Sequence, residues 1–188
     1  MAGIGFRLKR LLAEDTCSAW LTAHVYGAMI SSGPWLLSFC TVATLAFISR
    51  GILAGAEQEL FSVIVVYTYT FSLITTGALS MVASRRLADL LYSGDVRHVL
   101  GAYRVAVGVT AISHLALACL FYGLAPDLQP WVRAGGAVLF VVVSCTWIAM
   151  IFVGAAQHYG TIITGFFAGS LVSLCAAVTL GAFAGLPG

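Results

Sequence analysis

AGGAVLFVVVSCTWIAMIFVG, residues 134–154, decides the fold: it carries no Asp, Glu, Lys or Arg and is apolar almost throughout. A helix needs about 20 such residues to cross the hydrocarbon core of a bilayer. The same absence of charge recurs over residues 16–49, 60–84, 105–126 and 134–188, runs of 34, 25, 22 and 55 residues. The longest is interrupted by the turn-like patch Gly154-Ala155-Ala156-Gln157-His158-Tyr159-Gly160, so it holds two spans. Five transmembrane helices are predicted, near 19–49, 60–83, 99–125, 134–154 and 161–185. The runs are continuous rather than alternating, which argues against a barrel. The expected fold class is all-α integral membrane.

Composition agrees. Of 188 residues, 61% are hydrophobic and 9% charged, against roughly 45–50% and about 25% in soluble domains. The net charge of +2 is scattered, with no basic stripe of the kind that tracks phosphates, so nucleic acid is not an expected partner.

Arg7, Lys9 and Arg10 precede the first apolar run, but that run far exceeds the roughly 7–15 residues of a signal-peptide core, and Glu14 and Asp15 intervene. Residues 1–18 are predicted as a cytoplasmic amphipathic segment, with Ile4, Leu8, Leu11 and Leu12 on one helical face lying in the interface. Residues 19–185 form the membrane domain, and 186–188 a short periplasmic end. With the N-terminus inside, Arg7, Lys9, Arg10, Arg85, Arg86, Arg97 and Arg104 are cytoplasmic and only Arg50 and Arg133 lie opposite. The positive-inside rule therefore predicts a cytoplasmic N-terminus.

No enzymatic chemistry is visible. The five cysteines show no C-x-x-C pairing and read as small packing residues; the four histidines are dispersed, with no H-E-x-x-H. There is neither a phosphate-binding G-x-x-x-x-G-K-[ST] nor a G-x-S-x-G elbow. No metal, cofactor or catalytic residue is expected. Ionisable groups within spans mark ion-coupled transport, yet all seven acidic residues fall in the tail or loops, leaving His24 and His114. Each reads first as a neutral ring bonded to a helix carbonyl and second as a proton relay.

Four features carry the functional argument. At 100° per residue, Ser62, Tyr69, Ser72, Thr76 and Ser80 fall within about 80° of arc on the second span, a hydroxyl stripe that either bonds neighbouring helices or lines a wet cavity able to accept a sugar; composition alone puts interhelical bonding first. Gly33-Pro34, inside the first span, predicts a kink, either a hinge or merely architectural. Arg85, Arg86 and Asp89 lie on a helical extension beyond the second span, suited to anionic headgroups or to docking a cytoplasmic partner; Ser93-Gly94-Asp95 reads as a turn followed by an N-cap. Gly165, Gly169, Ser173, Ala177, Gly181 and Gly185 repeat every four residues along the fifth span, a close-packing face that wants a partner helix.

Gly3-Ile4-Gly5-Phe6-Arg7-Leu8 with the basic residues and Leu11-Leu12 after it, ISSGPW at 30–35, YTFSL at 69–73 with Thr76-Gly77, and Arg86-Leu87-Ala88-Asp89 with Leu91-Tyr92 together resemble the N-terminal part of the PelG family, the inner-membrane polysaccharide transporters of the Pel exopolysaccharide system. The likeness is dense from residue 3 to about 95 and thins to span spacing thereafter. Ala78 departs from it, standing where the pattern has proline. The resemblance implies a flippase-type fold of about twelve helices in two lobes, of which these five spans form most of one, so the chain is expected to be a fragment. It also implies export of a cationic, amino-sugar-rich polysaccharide across the bacterial inner membrane, with a cytoplasmic glycosyltransferase and membrane-bound Pel-system proteins as partners. The competing reading is a non-transporting scaffold subunit of a polysaccharide synthase complex.

Overall fold

The computed structural model describes residues 18 and 21, 36–51, 55–125, 128–156 and 159–183, with the backbone alone at 159 and 180–183. Every element among them is helical: α1 (Leu36–Ser49), α2 (Gly55–Tyr92), a 3-10 turn (Val96–His98), α3 (Val99–Gly123), α4 (Pro130–Ala155) and α5 (Tyr159–Phe183). Helices α2 to α5 are each long and apolar enough to cross a membrane, and α1 is a shorter apolar helix. The protein is thus an all-α membrane protein. The amphipathic segment 1–18, apart from residue 18, and the Gly33-Pro34 kink lie outside the described residues, as do His24 and residues 186–188.

The connections follow from local chemistry. α2 has 38 residues, about 57 Å at ~1.5 Å per residue, so it continues past the hydrocarbon core into the polar extension around Arg85 and Asp89. It ends where Gly94 takes φ 73°. Asp95 N–H donates to Leu90 O at 3.0 Å and Gly94 N–H to Leu91 O at 3.3 Å, which satisfies carbonyls that the helix end leaves free. Asp95 stands at the N-cap position of the 3-10 turn, as the sequence suggests, but makes no side-chain cap bond. Its carboxylate instead accepts from His98 Nδ1 at 2.7 Å, and His98 occupies the N-cap position of α3. Pro130 opens α4, where its missing N–H costs nothing.

The chain divides into two compact units, Leu60–Phe152 and the combination of Met1–Glu59 with Val153–Gly188. In the second, Thr41 on α1 donates to Ser170 on α5 at 2.7 Å. Gly165 and Gly169 of the small-residue face have open space beside them, and a Cβ at either would meet no atom within 4 Å.

The interior of unit Leu60–Phe152 mixes polar side chains with apolar ones such as Leu87, Ala118 and Ile148, and its exterior is apolar. Ser72, Thr110 and Ser144 are 0% exposed and His114 1%, whereas Ile74, Met81 and Ile112 are 67%, 77% and 73% exposed. Acyl chains solvate the apolar exterior, so burying leucine gains little and helices associate through packing and interhelical hydrogen bonds. The buried hydroxyls are satisfied by their own helices: Thr76 donates to Ser72 O, Thr110 to Ala106 O at 2.8 Å and Ser144 to Phe140 O at 2.7 Å. Cys40, Cys119 and Cys175 lie on the exterior and Cys145 is half-buried, so three of the described cysteines face outward rather than filling the interior.

Candidate functional site

α2 supplies most of the polar groups in unit Leu60–Phe152, through Thr68, Ser72 and Thr75. Trp147 Nε1 on α4 donates to Ser72 Oγ at 3.1 Å, and Ser72 Oγ donates on to Tyr69 O at 2.8 Å. Thr68 Oγ1 and Tyr122 Oη share a hydrogen bond at 3.3 Å, joining α2 to the last turn of α3. Thr75 Oγ1 lies 2.9 Å from His114 Nε2 on α3. The three contacts tie α2 to both neighbouring helices.

Tyr122 fits because position 136 has no side chain. Its ring packs with Ala118 and Phe140, and a Cβ built on Gly136 would overlap the ring. His114 lies one turn below this cluster, its ring centroid 5.2 Å from that of Phe140. Beyond it, towards the α2–α3 connection, a groove of about 360 Å³ runs from Arg86 and His98 past Val105 and Ile148 to Thr110.

The hydroxyl stripe therefore divides. Ser72 and Thr76 are buried at 0% and 2% exposure, while Ser62, Tyr69 and Ser80 form a half-buried edge. Ser62 Oγ is itself buried and has no hydrogen-bond partner among the described residues. Of the five, Ser72 makes an interhelical bond; Thr68 and Thr75, which lie just off the stripe, make the others. They stand in the same hydroxyl-rich run of sequence, but a criterion based on a shared arc excluded them. Arg85 and Asp89 pair at 3.4 Å on an exposed helical turn, side chains 83% and 53% exposed, a contact that stabilises little in water. Arg86 is exposed and borders the groove. His114 bonds a carbonyl of its own helix, Thr110 O, at 2.9 Å. Among the described residues, no group of three His, Cys, Asp or Glu could hold a metal ion.

Long apolar helices with an apolar exterior define a multi-pass integral membrane protein. The chain belongs to the PelG family: the family model described as "PelG: Putative exopolysaccharide Exporter (EPS-E)" matches residues 1–188. The match spans the whole chain, including the half in which quoted motifs give way to bare span spacing. No curated protein and no solved structure matches it.

Proposed function

We propose that this chain supplies most of one lobe of a two-lobed, non-enzymatic exporter that carries Pel-type exopolysaccharide across the bacterial inner membrane. The observation that carries the reading is the coincidence of an exporter-family match over the full chain with a membrane helix that presents a half-buried hydroxyl edge, Ser62, Tyr69 and Ser80. A polysaccharide offers hydroxyls and amines along its length. Neutral hydroxyls can exchange hydrogen bonds with successive sugars without holding any one of them, which suits passage. Ser72 and Thr76 form the floor behind this edge. Gly33-Pro34 serves as the hinge of the first span. Arg85, Arg86 and Asp89 form the face that docks the cytoplasmic glycosyltransferase.

Single cysteines test the cavity. In the assembled transporter, cysteines at Ser62, Tyr69 and Ser80 are expected to react with small water-soluble thiol reagents, while those at Ser72 and at lipid-facing Leu73 stay protected. Equal labelling at all five positions would favour the scaffold reading. A cysteine at Arg85 should label freely and become protected when the glycosyltransferase is co-expressed.

Orientation follows the seven-to-two distribution of Lys and Arg. Reporter fusions after Gly55 and after residue 188 should be active on the periplasmic side, and a fusion after Ser93 on the cytoplasmic side. Cytoplasmic activity at Gly55 would reverse the assignment.

A further inference from the structure

We propose that the groove between α2 and α3 binds one acyl chain of an anionic phospholipid from the bilayer, with the lipid phosphate held on Arg86. The site does not depend on the exporter reading above.

One face of each helix builds the groove. Leu79, Val82, Ala83 and Arg86 recur at i, i+3, i+4 and i+7, a single face of α2. Across from them α3 presents two small residues, Gly101 and Ala102, and then Val105 and Val109. A Cβ on Gly101 would meet no atom within 4 Å, so the space beside it is open. Ile148 and Phe152 of α4, both buried, form the floor. Val82, Val105 and Val109 are exposed, so the groove opens sideways, towards the acyl chains that surround the helices.

Its dimensions suit a hydrocarbon chain. From His98 to Thr110 it runs about 18 Å along α3 at ~1.5 Å per residue, close to the ~15 Å of one leaflet in a hydrocarbon core of ~30 Å. Spread over that length, its volume of about 360 Å³ corresponds to a cross-section of about 20 Å², against about 80 Å² for a helix ~10 Å in diameter. A whole helix does not enter. Beyond Arg86 and His98 at the mouth, Thr110 is the one polar side chain among the described residues that line the groove, and its hydroxyl donates to Ala106 O at 2.8 Å. A water molecule needs two to four polar partners, and a sugar needs more. Neither finds them here, whereas an acyl chain needs none.

The mouth carries positive charge in excess. The charge-free run of α2 ends at residue 84, which puts Arg86 at headgroup level, where an arginine stem lies along apolar surface and its guanidinium reaches the interface. Around the α2–α3 connection stand Arg85, Arg86, Arg97 and Arg104 and two acids, Asp89 and Asp95. Both acids are engaged: Asp89 with Arg85 at 3.4 Å, and Asp95 with His98 Nδ1 at 2.7 Å. Arg86, Arg97 and Arg104 form no ion pair with the described residues, and of the three only Arg86 lines the groove. A guanidinium can hold two phosphate oxygens through parallel hydrogen bonds. A headgroup of net negative charge offsets the excess, while a choline headgroup would add a cation to it. Basic pockets at the ends of membrane helices select anionic headgroups on this ground. Arg85 lies about 100° round α2 from Arg86, so the bound headgroup adjoins the face proposed to dock the glycosyltransferase and becomes part of it.

Two photoreactive lipids test the site, a phosphatidylglycerol and a phosphatidylcholine, each with a diazirine midway along one acyl chain. The full chain is reconstituted in phosphatidylcholine vesicles with a trace of either lipid, irradiated, and its labelled residues are located by mass spectrometry. Both lipids should label exposed Val142 on α4 alike. At Val105 and Val109 the phosphatidylglycerol should label about 5-fold more than the phosphatidylcholine, the factor one basic residue contributes towards an anionic lipid. Arg86→Gln should remove that preference and leave Val142 unchanged, and Arg104→Gln, which removes a charge off the groove, should keep it. Gly101→Leu fills the open space without touching the charge and should lower labelling of the two valines by both lipids. Glycerol phosphate, a headgroup without chains, should not compete. Equal labelling by the two lipids at all three valines would reduce the groove to ordinary lipid-exposed surface and overturn the site. Val105 and Val109 unlabelled beside a labelled Val142 would mean that protein fills the groove, and would overturn it too. A preference that survives Arg86→Gln, or is lost equally in Arg104→Gln, would make the effect a diffuse field rather than a site. None of these readouts involves export, so failure here leaves the exporter reading intact.

Discussion

Gly136→Val is expected to produce a protein that inserts into the membrane but unfolds at lower temperature and is recovered from detergent in poor yield. The added Cβ overlaps the Tyr122 ring, which is buried between Ala118 and Phe140 and cannot swing away cheaply. Overpacking of this kind costs about 1–3 kcal/mol. Displacing the ring also breaks its 3.3 Å bond to Thr68, and interhelical hydrogen bonds in membranes contribute about 0.6 kcal/mol on average. Tyr122→Leu in the same chain removes the ring and should restore most of the lost stability, a rescue that a general helix-propensity effect at position 136 would not show. Unfolding of Gly136→Val at the wild-type temperature would mean that Tyr122 does not occupy this seat.

Pro34→Ala is expected to lower export strongly while membrane insertion stays normal. Proline inside a helix removes a backbone donor and clashes with the preceding turn, at about 3 kcal/mol, and Gly33 beside it loosens the chain further. Alanine restores the donor and favours a straight helix. If the first span works as a hinge, the two halves then lose the freedom to reorient during transport. Export and surface labelling of the same cells separate the outcomes: full export with Pro34→Ala would make the kink architectural. Pro34→Gly, which keeps the helix weak without the proline ring, should retain more export than Pro34→Ala.

The all-helical membrane class was legible in the sequence because the bilayer imposes a length and forbids charge. The expected spans 99–125 and 161–185 correspond to α3 at Val99–Gly123 and α5 at Tyr159–Phe183. The second span runs on to Tyr92, since the run from Arg85 to Tyr92 keeps helix-forming residues after the apolar stretch has ended, and a hydrophobicity criterion stops where the lipid does. Asp95 takes the N-cap position expected of it, at the start of the 3-10 turn, but its carboxylate is turned to His98, which lies within reach and offers an imidazole N–H in place of a backbone one.

What the sequence by itself determined is therefore the membrane class, the family resemblance and the set of hydroxyls on α2. What the tertiary structure decided is which of those hydroxyls meet another helix. Residue spacing fixes the angle of each side chain about its own axis, and Ser62, Tyr69, Ser72, Thr76 and Ser80 do share a face. It carries nothing about the neighbour on that side. Trp147 for Ser72, Tyr122 for Thr68 and His114 for Thr75 lie 75, 54 and 39 residues away along the chain, and their pairing depends on how the helices are rotated and offset against one another. In lipid that choice is made by close packing and by a few polar contacts rather than by burial of apolar surface, so hydrophobic periodicity, the strongest signal in a soluble sequence, is silent on it.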